Sequence, residues 1–133
     1  MAVKPIPDGY HTVTPYLVVP DVAQLSAFLV RALGAKETYR KTQPDGTVNH
    51  AEIRIGNSMV MMGHASKQYP PMPAMLYLYV EDVDALYRQA VAAGGVSLRE
   101  PTDQDYGDRS GGISDPFGNQ WWIGTHIRDV PAA

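Results

Sequence analysis

His50 and Glu52 are the residues of this chain best suited to acid–base chemistry. They stand two apart in a stretch where polar and apolar residues alternate, which predicts a strand with both side chains on one face. An imidazole beside a carboxylate can take up and release a proton near neutral pH. His64 could approach them and complete a displaced metal site, although lone histidines near strand ends are mostly surface or hydrogen-bonded groups. Glu52 could instead pair with Arg54 on the same strand face.

A second set of residues is suited to holding a small molecule. Tyrosine and tryptophan rings can stack on a planar ligand, and the arginine fork can hold an anionic group. The predicted ligand-binding residues are Tyr16, Met62, Met75, Tyr77, Tyr106, Arg109 and Trp122. Two alternatives stay open: the aromatic side chains could fill the space themselves, and Arg109 could clamp Asp108, Asp115 or the loop backbone.

Composition excludes several other kinds of chemistry. The 133 residues include no cysteine, so thiolate nucleophiles and sulfur-ligated metal sites are ruled out. The sequence has neither a Gly-x-Ser-x-Gly elbow nor a glycine loop that could cradle a phosphate before a helix. The net charge of −3 and the absence of a basic cluster disfavour nucleic acid as a partner. No apolar run is long enough to span a membrane, and the N-terminus lacks an apolar signal region, so a cytoplasmic protein is expected.

The elements that must position these residues occur twice, about 61 residues apart. A β-rich run over 13–19 leads through Asp21 into a helix predicted over 22–33, which ends at Gly34. A second run over 75–80 leads through Asp82 into a helix predicted over 83–93, which ends at Gly94-Gly95. The two aspartates are good N-caps, and the glycines allow the left-handed residue that ends a helix. The repeat indicates two modules of one design.

Three strands follow each helix, over about 36–42, 47–55 and 58–63, and over about 96–101, 108–114 and 119–125. The fold class is therefore α+β, with two tandem β-α-β-β-β modules whose curved mixed sheets enclose an open-face cavity. We predict one domain over 1–133, with the first module over about 12–64, a proline-rich linker over about 65–74 and the second module over about 75–127.

Alternation along the strands predicts which side chains meet the helix. In the first module Leu17, Val19, Ala51, Ile53 and Ile55 should face the helix, and in the second Leu76, Leu78 and Val80 should do so. The opposite, open face then carries tyrosines, methionines and a few polar groups, and adjacent Trp121 and Trp122 point to opposite faces. Such a composition is typical of a ligand cavity.

Paired β-α-β-β-β modules with Asp115-Pro116-Phe117-Gly118-Asn119 before the last strand resemble the vicinal oxygen chelate superfamily, over about residues 12–127. This superfamily includes glyoxalase I, bleomycin-resistance proteins and extradiol dioxygenases. The stretches Tyr77-Leu78-Tyr79-Val80-Glu81-Asp82 and Tyr106-Gly107-Asp108-Arg109 look like its PhnB-like branch. The resemblance implies a homodimer with sites at or near the subunit contact.

The resemblance also implies four metal-ligand positions, which glyoxalase-type enzymes fill with His, Gln or Glu. The matching residues here are Thr14, Met75, Trp122 and either Val60 or Met62, none of which is a hard ligand. We therefore predict no metal and no cofactor, and a protein that binds a small, aromatic or cationic molecule. The alternative is a lyase or isomerase that uses His50 or Glu52 as general base.

Overall fold

The computed structural model describes residues 2–131, and the chain divides into two compact units between Met72 and Pro73. The first unit contains β1 (Tyr16–Val19), most of α1 (Val22–Leu33), β2 (Lys36–Thr42), β3 (Val48–Ile55) and β4 (Ser58–His64). The second contains β5 (Met75–Tyr79), α2 (Val83–Ala92), β6 (Val96–Asp103), β7 (Asp108–Ser114) and β8 (Gln120–His126). The predicted β-α-β-β-β order is confirmed in both.

Each unit has an open, four-stranded mixed sheet. The strand order is β1-β4-β3-β2 in the first sheet and β5-β8-β7-β6 in the second. In both, the strand before the helix pairs in parallel with the last strand, and the remaining pairs are antiparallel. The same connectivity therefore occurs twice, and the predicted α+β class with tandem modules is confirmed.

Both helices begin where the sequence predicts, α1 also ends as predicted, and α2 ends one residue earlier, at Ala92. The Asp21 carboxylate accepts a hydrogen bond from the Gln24 amide at 3.0 Å, and Asp82 accepts one from the Ala85 amide at the same distance. Gly34 ends α1 with a φ of 67° and Gly94 follows α2 with a φ of 108°, conformations that disfavour a residue with a Cβ. Neither helix, at 12 and 10 residues, is long and apolar enough to cross a membrane.

One face of each sheet is buried on the side of its helix. In the first unit the buried side chains are Leu17, Val19, Val22, Leu25, Phe28, Leu29, Ala51, Ile53 and Met62, and in the second they include Val83, Ala90, Ile113, Trp121 and Ile123. Ser26 of α1 donates a hydrogen bond to Glu37 of β2, which lies opposite Ile53 in the strand register. The predicted division of Leu17, Val19, Ala51, Ile53 and Ile55 from the open face is confirmed.

The turn before β8 is built around one buried carboxylate. Asp115 accepts hydrogen bonds from the Phe117 and Asn119 amides, the Asn119 side chain and the Trp121 indole, at 2.8–3.1 Å. Because Trp121 is drawn to this turn and is completely buried, its neighbour Trp122 must project from the opposite face of β8. The turn therefore sets which tryptophan reaches the open face.

Candidate functional site

The open face of the second sheet has a row of four residues, one from each strand. Tyr77 lies opposite Trp122, Trp122 opposite Gly112 and Gly112 opposite Arg99. Because Gly112 has no side chain, the Trp122 indole lies across it, and the Arg99 guanidinium carbon reaches a position 5.0 Å from the centre of the indole ring. This distance is that of a cation–π contact.

A cavity of about 440 Å³ lies on this face and is called the second cavity. Its lining residues are Met75, Leu76, Tyr77, Arg99, Tyr106 and Trp122. Four of the seven predicted ligand-binding residues, Met75, Tyr77, Tyr106 and Trp122, therefore meet around one space. The volume lies within the range of about 300–1,000 Å³ that is common for small-molecule sites.

Polar groups at the edge of the second cavity are already tied to each other. The Tyr77 and Tyr79 hydroxyls both donate a hydrogen bond to the same oxygen of Asp108, at 2.8 and 2.9 Å. His126 Nδ1 lies 2.8 Å from the other Asp108 oxygen. Burial, followed by the hydrogen bond to Asp108, raises the pKa of Tyr77 well above its usual value. The His126 hydrogen bond, with those from the two tyrosines, lowers the pKa of Asp108. The Tyr77 proton is thus held by Asp108, and its oxygen can only accept.

The first sheet has an equivalent row with different chemistry. Tyr16 lies opposite Met61, Met61 opposite Glu52 and Glu52 opposite Tyr39. Where the second sheet has Gly112, the first therefore has a carboxylate. The open-face position that matches Trp122 is Met61. The repeat offset of 61 relates β1 to β5 and β4 to β8, so the pair of Tyr16 and Met61 matches the pair of Tyr77 and Trp122.

Predicted residues Tyr16, His50 and Glu52 form a chain of hydrogen bonds on this face. The Tyr16 hydroxyl lies 3.2 Å from His50 Nδ1, and His50 Nε2 lies 2.9 Å from a Glu52 oxygen. Burial, with the nearby Lys41 charge, lowers the pKa of His50, so its ring is neutral at pH 7. A neutral ring donates from Nε2 to the Glu52 carboxylate and accepts at Nδ1 from Tyr16. Both ring nitrogens are therefore used within the chain.

A space of about 520 Å³ lies beside this hydrogen-bond chain and is called the first cavity; it is larger than the second cavity. It is lined by Tyr16, Val18, Tyr39, Lys41, Asn49, His50, Gly63, His64 and Tyr69. Tyr16 is thus the one predicted ligand-binding residue that lines the first cavity, whereas the four that line the second cavity belong to the second unit. Lys41, Tyr39 and Tyr69 were not predicted as site residues.

Two predicted ligand-binding residues are in the wrong place. Met62 is completely buried and lies opposite Leu17 and Ala51, so it belongs to the core on the α1 side. Arg109 makes ion pairs with Asp84 of α2 and with Asp103, at 2.9 and 3.0 Å, and does not line the second cavity. These two partners raise the pKa of Arg109. Arg109 thus binds acidic side chains of the chain itself, but these are Asp84 and Asp103 and none of the three partners that were considered.

His64 also departs from its predicted position. In the strand register it lies opposite Val19, whose side chain faces the core, so the strand parity used to place His64 is wrong. His64 nevertheless lines the first cavity together with His50, at the end of β4. Within residues 2–131, no three side chains of the His, Cys, Asp and Glu types come together in a way that could hold a metal ion.

Sequence reasoning missed Arg99 and Asp108 as members of the second site. Arg99 lies in the predicted strand over 96–101, but the pairing of β6 with β7 shifts on both sides of it, which disrupts simple alternation. Asp108 is only 1% exposed and gathers three side chains. The repeat could have drawn attention to its strand, since Asp108 begins β7.

The fold family implies four metal-ligand positions. In this chain they are occupied by Thr14, Met61, Met75 and Trp122. Val60 and Met62, the two residues considered for the first sheet, both face the core. Thr14 precedes β1, and the Trp122 indole nitrogen donates to Gln120 at 3.0 Å. A hydroxyl, two thioethers and an indole N–H do not fit a divalent cation that prefers imidazole or carboxylate ligands.

The repeated sheets and their open faces define the class of protein. The chain belongs to the glyoxalase/bleomycin resistance protein/dioxygenase superfamily, whose sequence profile matches residues 10–123. An uncharacterised protein of Mycobacterium bovis, Mb0911c, is 37% identical over 128 residues, which cover 88% of this chain and 84% of that protein.

Solved structures show the same fold. TioX from Micromonospora sp. ML1 superposes with a TM-score of 0.78 at 24% identity, over 88% of this chain and 99% of that one. A glyoxalase/bleomycin resistance protein/dioxygenase from Nocardioides superposes with a TM-score of 0.69 at 17% identity, over 92% of this chain and 88% of that one. These likenesses establish the architecture.

Proposed function

We propose that this chain is a metal-independent binding protein for a small organic molecule with a planar ring, held in the second cavity. The observation that carries the proposal is the meeting of Tyr77, Tyr106 and Trp122 with Met75 around one space of about 440 Å³. Three aromatic walls and a thioether offer a planar guest stacking and dispersion contacts. The unfit metal positions support binding without a cation.

The charge of the second cavity narrows the choice between an aromatic and a cationic guest. Its one charged lining residue is Arg99, and the guanidinium already occupies the indole face of Trp122. A cationic ligand at the indole would therefore meet a like charge in place of an open ring face. The proposal therefore keeps the aromatic character and drops the cationic one.

Catalysis by His50 or Glu52 receives less support. Both His50 nitrogens are engaged, Nδ1 with Tyr16 and Nε2 with Glu52. A general base needs a free nitrogen within reach of the proton that it removes, and using His50 would require breaking one of these hydrogen bonds. The arrangement is better suited to fixing the position of Tyr16 on the open face.

Isothermal titration with a panel of one- and two-ring aromatic compounds tests the proposal, with and without EDTA. We expect saturable binding that EDTA leaves unchanged and that Trp122→Ala weakens by at least about tenfold. Tyr39→Ala is the matched control, because it removes an aromatic side chain from the edge strand of the first sheet and should leave the affinity unchanged. Absence of binding across the panel, or loss only in Tyr39→Ala, would overturn the proposal.

We also propose three finer assignments. The tyrosine-rich strand over 75–80 and the Asp115-Pro116-Phe117-Gly118 turn support a place in the PhnB-like branch. The family resemblance supports a homodimer, which analytical ultracentrifugation would test. The third is a cytoplasmic location, which cell fractionation would test.

A further inference from the structure

We infer that the ligand of the second cavity is an anion, namely a planar aromatic carboxylate whose carboxylate binds Arg99. This inference rests on the proposed function and specifies its ligand class. It starts from the charge on the cavity wall. Among Met75, Leu76, Tyr77, Arg99, Tyr106 and Trp122, the arginine alone is ionised at neutral pH.

Arg99 is held in place but keeps hydrogen-bonding capacity. Its Nη2 donates to the Ser110 carbonyl at 3.1 Å and to the Ser110 hydroxyl at 2.6 Å, which uses both hydrogens of that nitrogen. Its Nη1 makes no hydrogen bond with the described part of the chain, and its buried Nε also has no partner there. Because Nε is buried, Nη1 is the donor that a ligand can reach.

No carboxylate within residues 2–131 lies within ion-pair distance of Arg99, which distinguishes it from Arg109 with its two acidic partners. Asp108, which binds the Tyr77 hydroxyl of the cavity wall, is engaged by Tyr77, Tyr79 and His126. The positive charge on the wall is therefore not neutralised by the chain. An incoming carboxylate would gain a charge-assisted hydrogen bond without displacing an existing one.

The sheet aims this arginine by an irregularity in its edge strand. The register of β6 against β7 shifts between Ser97 and Arg99 and again between Arg99 and Thr102, and bulges of this kind re-aim a side chain. The Trp122 indole then supports the guanidinium at 5.0 Å. An anchor fixed on one side by an indole and on another by Ser110 loses little conformational entropy when it binds a ligand.

The neutral polar groups of the cavity fit the same ligand. The Tyr77 hydroxyl donates to Asp108 and so cannot donate to a carboxylate, which leaves its ring as a stacking surface. The Tyr106 hydroxyl lies 3.2 Å from the Ser110 hydroxyl, which also receives the Arg99 hydrogen bond. The carboxylate is thus expected at the Arg99 end of the row, with the ring between Tyr106 and Tyr77.

Isothermal titration with three compounds of one shape tests the inference: 2-naphthoate, its neutral amide and the corresponding naphthylmethylammonium. We expect 2-naphthoate to bind at least about tenfold more tightly than the amide, as a hydrogen bond to a charged group implies. The ammonium compound should bind more weakly than the amide. Raised ionic strength should reduce the preference for 2-naphthoate.

Arg99→Gln should remove the preference for 2-naphthoate over the amide, and Arg99→Lys should retain part of it. Arg109→Gln, which removes an equal charge that is already paired with Asp84 and Asp103, is the control and should keep the full preference. Equal binding of all three compounds by the wild type would overturn the inference and leave the proposed function intact. If none of the aromatic compounds binds, both the inference and the proposed function are overturned. A preference for 2-naphthoate that survives in Arg99→Gln would overturn the inference alone.

Discussion

The indole ring of Trp122 lies directly over Gly112 on the neighbouring strand. A Cβ on Gly112 would fall within 3.0 Å of three carbon atoms of this ring, closer than real Cβ atoms approach. Arg99 lies opposite Gly112 on the other side, so the missing side chain is what allows the indole and the guanidinium to meet. The glycine therefore supports the cavity although it has no functional group.

Gly112→Ala should displace the Trp122 ring and separate it from Arg99. Overpacking of this kind lowers the free energy of unfolding by about 1–3 kcal/mol. Urea denaturation of the variant and the wild type would measure this loss. Ligand affinity should fall together with stability. In a Trp122→Leu background the same alanine should be much less destabilising, because its collision partner is gone. Equal effects in the two backgrounds would contradict the contact.

The first unit repeats this device with a tyrosine. A Cβ on Gly63 would meet the Tyr16 ring and hydroxyl, and the Tyr16 hydroxyl is the group that approaches His50 Nδ1 at 3.2 Å. Gly63→Ala should therefore cost about 1–3 kcal/mol of stability and break the Tyr16–His50 hydrogen bond. The His50 ring resonances in NMR spectra check the second effect, with Tyr16→Leu as the background in which alanine should be tolerated. An unchanged His50 environment in Gly63→Ala would show that the ring is not displaced.

The sequence allowed Trp122 to be placed correctly because a recognisable turn anchors its strand. Asp115-Pro116-Phe117-Gly118 marks the start of β8, and alternation from that point gives the open-face residues. The first module lacks such a turn before β4, so its register stayed uncertain by two residues, and both candidates, Val60 and Met62, face the core. Met61, between them, is the open-face residue.

Arg99 and Arg109 show a different limit of prediction. Alternation cannot be followed through β6, because the strand pairing shifts on both sides of Arg99. The partners of Arg109 lie on α2 and at the end of β6, and their approach depends on how the helix packs on the sheet. Local pattern describes neither effect, so one arginine of the site was missed and another was placed there wrongly.

Asp115→Ala should be strongly destabilising, because it leaves four donors without their acceptor. These are the Phe117 and Asn119 amides, the Asn119 side chain and the Trp121 indole. Each buried donor left unpaired costs about 1–3 kcal/mol, so a loss of at least about 3 kcal/mol is expected in denaturant titrations.

Asp45→Ala is the matched control for this change. Asp45 accepts a hydrogen bond from the Thr47 amide in an exposed turn of the first unit, and its loss should be the smaller one. Asp115→Asn, which keeps one acceptor oxygen, should fall between the two. A ranking in which Asp45→Ala is the more damaging change would contradict the structural role of Asp115.

The contact between Asp108 and His126 should make stability depend on pH. Hydrogen bonds to Asp129 and Asp108 raise the pKa of His126. Its contribution is therefore complete below the unfolded value of about 6.5 and is lost as pH rises through the folded-state pKa. The pKa of Asp108 is lowered, first of all by His126. That contribution is present above about pH 3.9 and is lost as pH falls through the lowered value.

His126→Gln should therefore reduce the melting temperature most between about pH 4 and 6.5 and progressively less as pH rises through the folded-state pKa of His126. The effect should be modest, because the imidazole is about half exposed and its ion pairs are screened by solvent. His11→Gln is the control, because His11 is an exposed residue of the N-terminal arm, and its melting temperature should follow the wild type at every pH. A loss in His126→Gln that stays constant up to pH values well above this transition would show that the ring acts by packing and not by its charge.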